Sequence, residues 1–204
     1  MNVMRLGMVS VLCLSLNCCH ILDSGKPARQ VYLLQTPSPP SHNESAKAAP
    51  TLIISVTAVP GLDTDRILVL GRDARLSPVS NAHWPDHMPE VLTSITRRYL
   101  SDSHQFRMVR QGSIARPDEW LLELELQAFY GIQGAAESTS SVLMQMEGDM
   151  RCDSIRQVLR ISEQSPVNGD TLSDLVAAHQ RVIDASMREL SSEITSTCAH
   201  PATD

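Results

Sequence analysis

Cys18 and Cys19 are the residues whose position points most directly to chemistry. They close a segment with one Arg at position 5 and an apolar run from Leu6 to Leu16, ending in Leu16-Asn17-Cys18-Cys19. A charged start, an apolar middle too short to span a bilayer and a small-residue cleavage region are the parts of an export signal. The Cys at the boundary resembles a bacterial lipobox, in which Leu stands three positions before a Cys that is acylated and becomes the mature N-terminus. Cys19 fits this best, because Leu16 then takes that position and Cys18 supplies the small residue before the cut. Cys18 is the alternative, with Ser15 and Asn17 in those places. The competing reading is an ordinary cleaved signal with two incidental cysteines.

Beyond the signal only Cys152 and Cys198 remain. In an oxidising compartment they are candidates for a disulfide, and two separate thiols are the other reading, since spacing does not establish geometry. A bond would tie a strand region to the C-terminal tail, and chain entropy assigns such a loop about 4 kcal/mol.

The best metal candidate is the set His83, Asp86, His87 and Glu90, because His at i and i+4 can share a helix face. Pro85 places His83 before the helix and spoils that face, so no metal site is expected. The chain has neither G-x-x-x-x-G-K nor G-x-G-x-x-G, and no G-x-S-x-G elbow, so ATP binding and serine-hydrolase chemistry are not expected. We therefore expect no enzyme and no cofactor apart from the covalent N-terminal lipid.

These residues must be positioned by a modest domain. The chain has 204 residues and a net charge of −6, and loss of the signal removes only Arg5 among the charges. That length suits a single domain. A mildly acidic chain without a basic cluster has no counterion-release drive toward nucleic acid, so nucleic acid is not an expected partner. No later stretch approaches the length of apolar residues that a spanning helix needs. Attachment therefore falls to the lipid, and several acyl chains anchor durably where one holds marginally.

Residues 30–34 read as a short strand, followed by a proline-rich loop over 36–50. Residues 52–59 and 67–70 read as strands, with Pro60-Gly61 a turn after the first. The spacing of Met88, Val91, Leu92, Ile95 and Tyr99 predicts a helix over 84–100. Residues 106–109 suggest another strand. The alternation of Leu122, Leu124, Leu126, Ala128 and Tyr130 against Glu123, Glu125 and Gln127 predicts a half-buried strand over 119–130. A second over 141–150 would pair with it as a hairpin, with a third over 156–162. Asp170 reads as the N-cap of a long helix over 171–194, with an apolar stripe through Leu175, His179, Val182, Met187 and Ile194.

The run Val59-Pro60-Gly61-Leu62-Asp63-Thr64-Asp65-Arg66-Ile67, then Arg72-Asp73 and Trp84 with Pro89, carries a family resemblance. With Val31-Tyr32-Leu33-Leu34, the alternating strand ending at Phe129 and Leu175-Val176-Ala177-Ala178, it resembles the ABC-type transport auxiliary lipoprotein family and its PqiC-like members. Pro60, Leu62, Asp63, Asp65, Arg66, Trp84 and Pro89 are the motif residues and candidate partner contacts. Each also has a local structural use: Pro60-Gly61 as a turn, Trp84 as a staple at the helix start, and Arg66 as an ion-pair partner of either Asp. The long proline-rich insertion is a departure from the family pattern.

The resemblance implies an α/β fold, a mixed β-sheet flanked by helices, in a single periplasmic domain with a long C-terminal helix. The chain would divide into a signal peptide (1–18), a lipidated N-terminus and tether (19–30), the domain (31–198) and a tail (199–204). It implies a non-catalytic accessory of a lipid-transport system, with an MCE-domain protein and an ABC permease and ATPase as partners and with a homo-oligomeric ring as a possible assembly. His20, not Asp, after the lipidated Cys favours the periplasmic face of the outer membrane of a Gram-negative bacterium. The competing functions are a periplasmic enzyme acting on the envelope and a structural envelope lipoprotein.

Overall fold

The computed structural model describes residues 28–40, 49–135 and 138–198. Cys18 and Cys19, the signal, most of the tether and the 199–204 tail lie outside the described residues, as does part of the proline-rich loop.

The elements are β1 (Gln30–Val31), β2 (Thr51–Ala58), β3 (Arg66–Leu70), β4 (Leu76–His83), α1 (Met88–Asp102), β5 (Met108–Gln111), β6 (Glu119–Gln133), β7 (Thr139–Cys152), β8 (Ile155–Pro166) and α2 (Leu172–Cys198). The strands form one mixed sheet. β6 is its hub. Along one edge it pairs in parallel first with β2, from Thr51↔Glu119 to Ala58↔Leu126, and then with β3, at Val69↔Gly131 and Leu70↔Ile132. β7 pairs antiparallel along the other edge, and β8 continues the meander. β5 lies outside β2, while β4 and the short β1 lie outside β3.

Both helices bury their apolar stripes in one core with Leu122, Leu124 and Leu126 of β6 and Met144 and Met146 of β7. The opposite face of the hairpin strands is polar. It carries the ion pairs Arg151–Glu123, Arg156–Asp149 and Arg160–Glu147. One packed face and one wet face account for the alternation visible in β6 and β7.

Several local readings change. A β-bulge between Leu126 and Ala128 shifts the strand's alternation, because an extra residue reverses which side chains face the core. Phe129, 4% exposed, therefore joins the core cluster, with Tyr130 only partly buried beside it. β4 has no counterpart in the sequence reading. Its Leu-Ser-Pro-Val-Ser-Asn-Ala-His run has a weak strand composition, and it is tolerated because β1 pairs only with Ala82 and His83, leaving the rest of that edge free for Pro78.

α1 starts at Met88 rather than at residue 84, with Pro89 in its first turn. α2 is capped by Thr171 rather than Asp170. The Thr171 Oγ1 accepts from the Asp174 N–H at 3.2 Å, and the Asp174 carboxylate accepts from the Thr171 N–H at 3.1 Å, a reciprocal capping box. The Thr171 hydroxyl also donates to the Asp174 carboxylate at 2.6 Å, and this bond together with that from the Thr171 N–H holds the Asp174 carboxyl below its ordinary range, against slight desolvation. At the far end of α2, Cys198 is bonded to Cys152 with Cα atoms 6.1 Å apart, joining the end of the helix to the end of β7.

Candidate functional site

The motif residues gather where β2 leaves β6 and β3 joins it. Val59 donates to the Leu126 carbonyl and Leu62 to the Val59 carbonyl, each at 3.1 Å. Gly61, at φ +94°, occupies the turn position that a side chain would disfavour. The turn drives Leu62 into the core at 4% exposure. The following carbonyls then hold the next segment: Asp65 accepts from the Trp84 N–H at 2.7 Å, and Thr64 from the Met88 N–H at 3.1 Å. The loop thus satisfies one of the orphan donors at the start of α1.

The two Asp side chains take separate partners. Asp65 Oδ2 accepts from Arg29 at 2.5 Å and lies 3.0 Å from His83 Nδ1. Partial desolvation pulls the Asp65 carboxyl upward, but the His83 hydrogen bond and the charges of His83, Arg29 and Arg66 outweigh it and hold the group below its ordinary range. Asp63 Oδ1 lies 2.8 Å from His87 Nδ1. That hydrogen bond raises the His87 pKa against slight desolvation, with help from the charges of Asp63, Asp86 and Asp65. Arg66 pairs with neither Asp; its Nε is buried without a hydrogen-bond partner among the described residues.

His83 ends β4 and His87 precedes α1, each turned to its own carboxylate. Among the described residues no group of three His, Cys, Asp or Glu side chains is arranged to hold a metal. Trp84, between the two histidines, lies in the same buried cluster as Met88 and Leu92 of α1. It is 1% exposed, with ring centroids 5.8 Å from Phe129 and 5.2 Å from His179, and Phe129 lies 4.9 Å from His179. His179 Nδ1 donates to the Leu175 carbonyl at 2.9 Å, while Nε2 is buried with no hydrogen-bond partner among the described residues. Burial lowers its pKa to about 4, which the backbone bond only partly opposes, so the ring is neutral in this aromatic cluster.

The motif is thus a clamp. Its apolar members Leu62 and Trp84 anchor it in the core, and its carboxylates fasten the incoming N-terminal segment and the start of α1. Arg29, Phe129 and His179 belong to the same unit. His179 is buried as its place in the helix stripe predicted, whereas Arg29 carries no local pattern and the contacts of Phe129 and His179 with the motif join segments far apart in sequence.

A model of the ABC-type transport auxiliary lipoprotein component family matches residues 32–191, from the residue after β1 into α2. The chain belongs to that family. The folds agree as well. XCC0632 from Xanthomonas campestris, a DUF330 protein, superposes on this auxiliary lipoprotein with a TM-score of 0.67 at 16% identity, covering 82% of this chain and 96% of that one. A second solved structure, of an uncharacterized protein, gives 0.64 at 15% identity over 82% and 99%. No curated protein matches the auxiliary lipoprotein significantly. Among its described residues no helix is long and apolar enough to cross a membrane.

Proposed function

We propose that this auxiliary lipoprotein is a non-catalytic docking subunit, acylated at Cys19 and held on the periplasmic face of the outer membrane. There it receives the periplasmic MCE-domain partner of an ABC-type lipid transporter. The observation that carries the reading is the family match across nearly the whole folded domain. The geometry supports it: the motif residues serve to clamp the fold, and the chain reaches that clamp at Arg29, ten residues after Cys19. A tether of that length keeps the clamp end of the domain within roughly 35 Å of the anchor. A ring of several copies would turn modest single contacts into a durable hold through effective concentration.

The test is co-purification in mild detergent. The MCE protein should be recovered with the wild-type chain, and Cys19→Ala should release the domain from the membrane fraction and lose the partner. Mass spectrometry of the mature terminus should show acylated Cys19. An unmodified terminus, or the partner's absence from the wild-type preparation, would refute the reading.

A further inference from the structure

After β1, residues 32–40 run across the helical face as an extended strap. Tyr32, Leu34 and Thr36 turn toward the protein while Leu33 and Gln35 are exposed, the period of an extended chain. Gln180 of α2 fastens it: its Oε1 accepts from the Gln35 N–H at 2.8 Å and its Nε2 donates to the Gln35 carbonyl at 2.9 Å. Asp184, 2.7 Å from the same Nε2, orients the amide. Between the strap and α1 an open cleft of about 740 Å³ remains, within the size range of ligand sites.

Its lining combines two chemistries. Leu34, Val91 and Ile95 supply an apolar surface, with Pro37 and Pro39 on the strap side. Leu33, also a lining residue, is 70% exposed. The charged groups are Asp86, Glu90 and Asp102 against Arg98, so the cleft carries an excess of carboxylate. Glu90, Ser94 and Arg98 follow one another at i, i+4 spacing along α1.

We propose that this cleft takes an extended segment of a partner protein with alternating aliphatic and basic side chains. The straight strap offers an extended wall, the apolar lining and exposed Leu33 fit the aliphatic side chains, and the surplus carboxylates fit the basic ones. The inference deepens the docking role and rests on it for the existence of a protein partner.

The test uses the mature chain and a fluorescein-labelled Leu-Lys octapeptide, read by anisotropy, beside Leu-Glu and Ser-Lys octapeptides. The Leu-Lys probe should bind at least tenfold more tightly than either control. Ser94→Trp, which fills the cleft from an exposed position, should weaken it at least tenfold with the thermal midpoint unchanged, and Glu90→Lys, which reverses a lining charge, should also weaken it at least tenfold. Equal binding of the Ser-Lys and Leu-Lys probes, or Ser94→Trp binding like the wild type, would overturn the proposal. The same variants are then tried against the MCE partner. Capture by the wild type and not by Ser94→Trp supports the cleft, and equal capture by both overturns the cleft while leaving the docking role intact. Failure of the wild type to capture the partner counts against the docking role, and the peptide measurements then decide the cleft.

Discussion

The ring of His179 stands edge-on to that of Trp84, with centroids 5.2 Å apart. The contact joins α2 to the linker between β4 and α1, and it keeps a titratable ring in an apolar setting. Native His179 titrates at about 4 against 6.5 for the ordinary group. The unfolded chain therefore binds more protons between those values, and stability is complete above pH 6.5 and falls as pH drops toward 4. The loss should approach about 3 kcal/mol. Urea denaturation at pH 7.5 and 4.5 should show it, and His179→Phe should flatten the difference over this interval.

Trp84 packs against both Phe129 and His179, which also touch each other. Trp84→Ala should cost about 3–5 kcal/mol, the range for truncating a fully buried aromatic. Trp84→Phe should fall between the two in denaturant midpoint.

Asp65 sits at 25% side-chain exposure and Arg29 at 54%. Solvent screens such a pair, so Asp65→Asn should lower global stability by less than about 1 kcal/mol. Its local effect should be larger. Amide exchange at Val31 and Tyr32 should accelerate as the N-terminal segment loses its carboxylate anchor. The depressed Asp65 pKa stabilises the fold above the ordinary carboxylate range, and that contribution should fade as pH falls below it.

The Cys152–Cys198 bond closes a loop with a sequence separation of 46. Reduction, or Cys198→Ser, should lower stability by up to about 4 kcal/mol, and exchange should rise first in the last turns of α2. A reductant should leave the Cys152→Ser/Cys198→Ser chain unchanged in a urea titration.

The elements that could be read directly were those whose local pattern and tertiary burial coincide. Met88, Val91, Leu92, Ile95 and Tyr99 are all buried at the spacing that marks them as one helix face, and the alternation in β6 and β7 follows one packed and one wet face. The failures arose where a neighbour overrides the local signal. β4 is a strand because β3 and β1 pair with it, and Phe129 faces the core because of a bulge that no residue type announces. The motif itself could be found as a string, but its role as a clamp depends on Arg29, Phe129 and His179, which only the fold brings near.

The place of β6 as hub has a consequence for the order in which the chain can assemble. β2 and β3 appear early in the chain, yet their parallel partner is residues 119–132. A polypeptide threaded N-terminus first through a membrane would expose Thr51–Ala58, mostly apolar and β-branched, before that partner emerged. Such distant pairings form slowly, which would keep the early part pliable during passage and let the sheet close only once most of the domain had reached the far side.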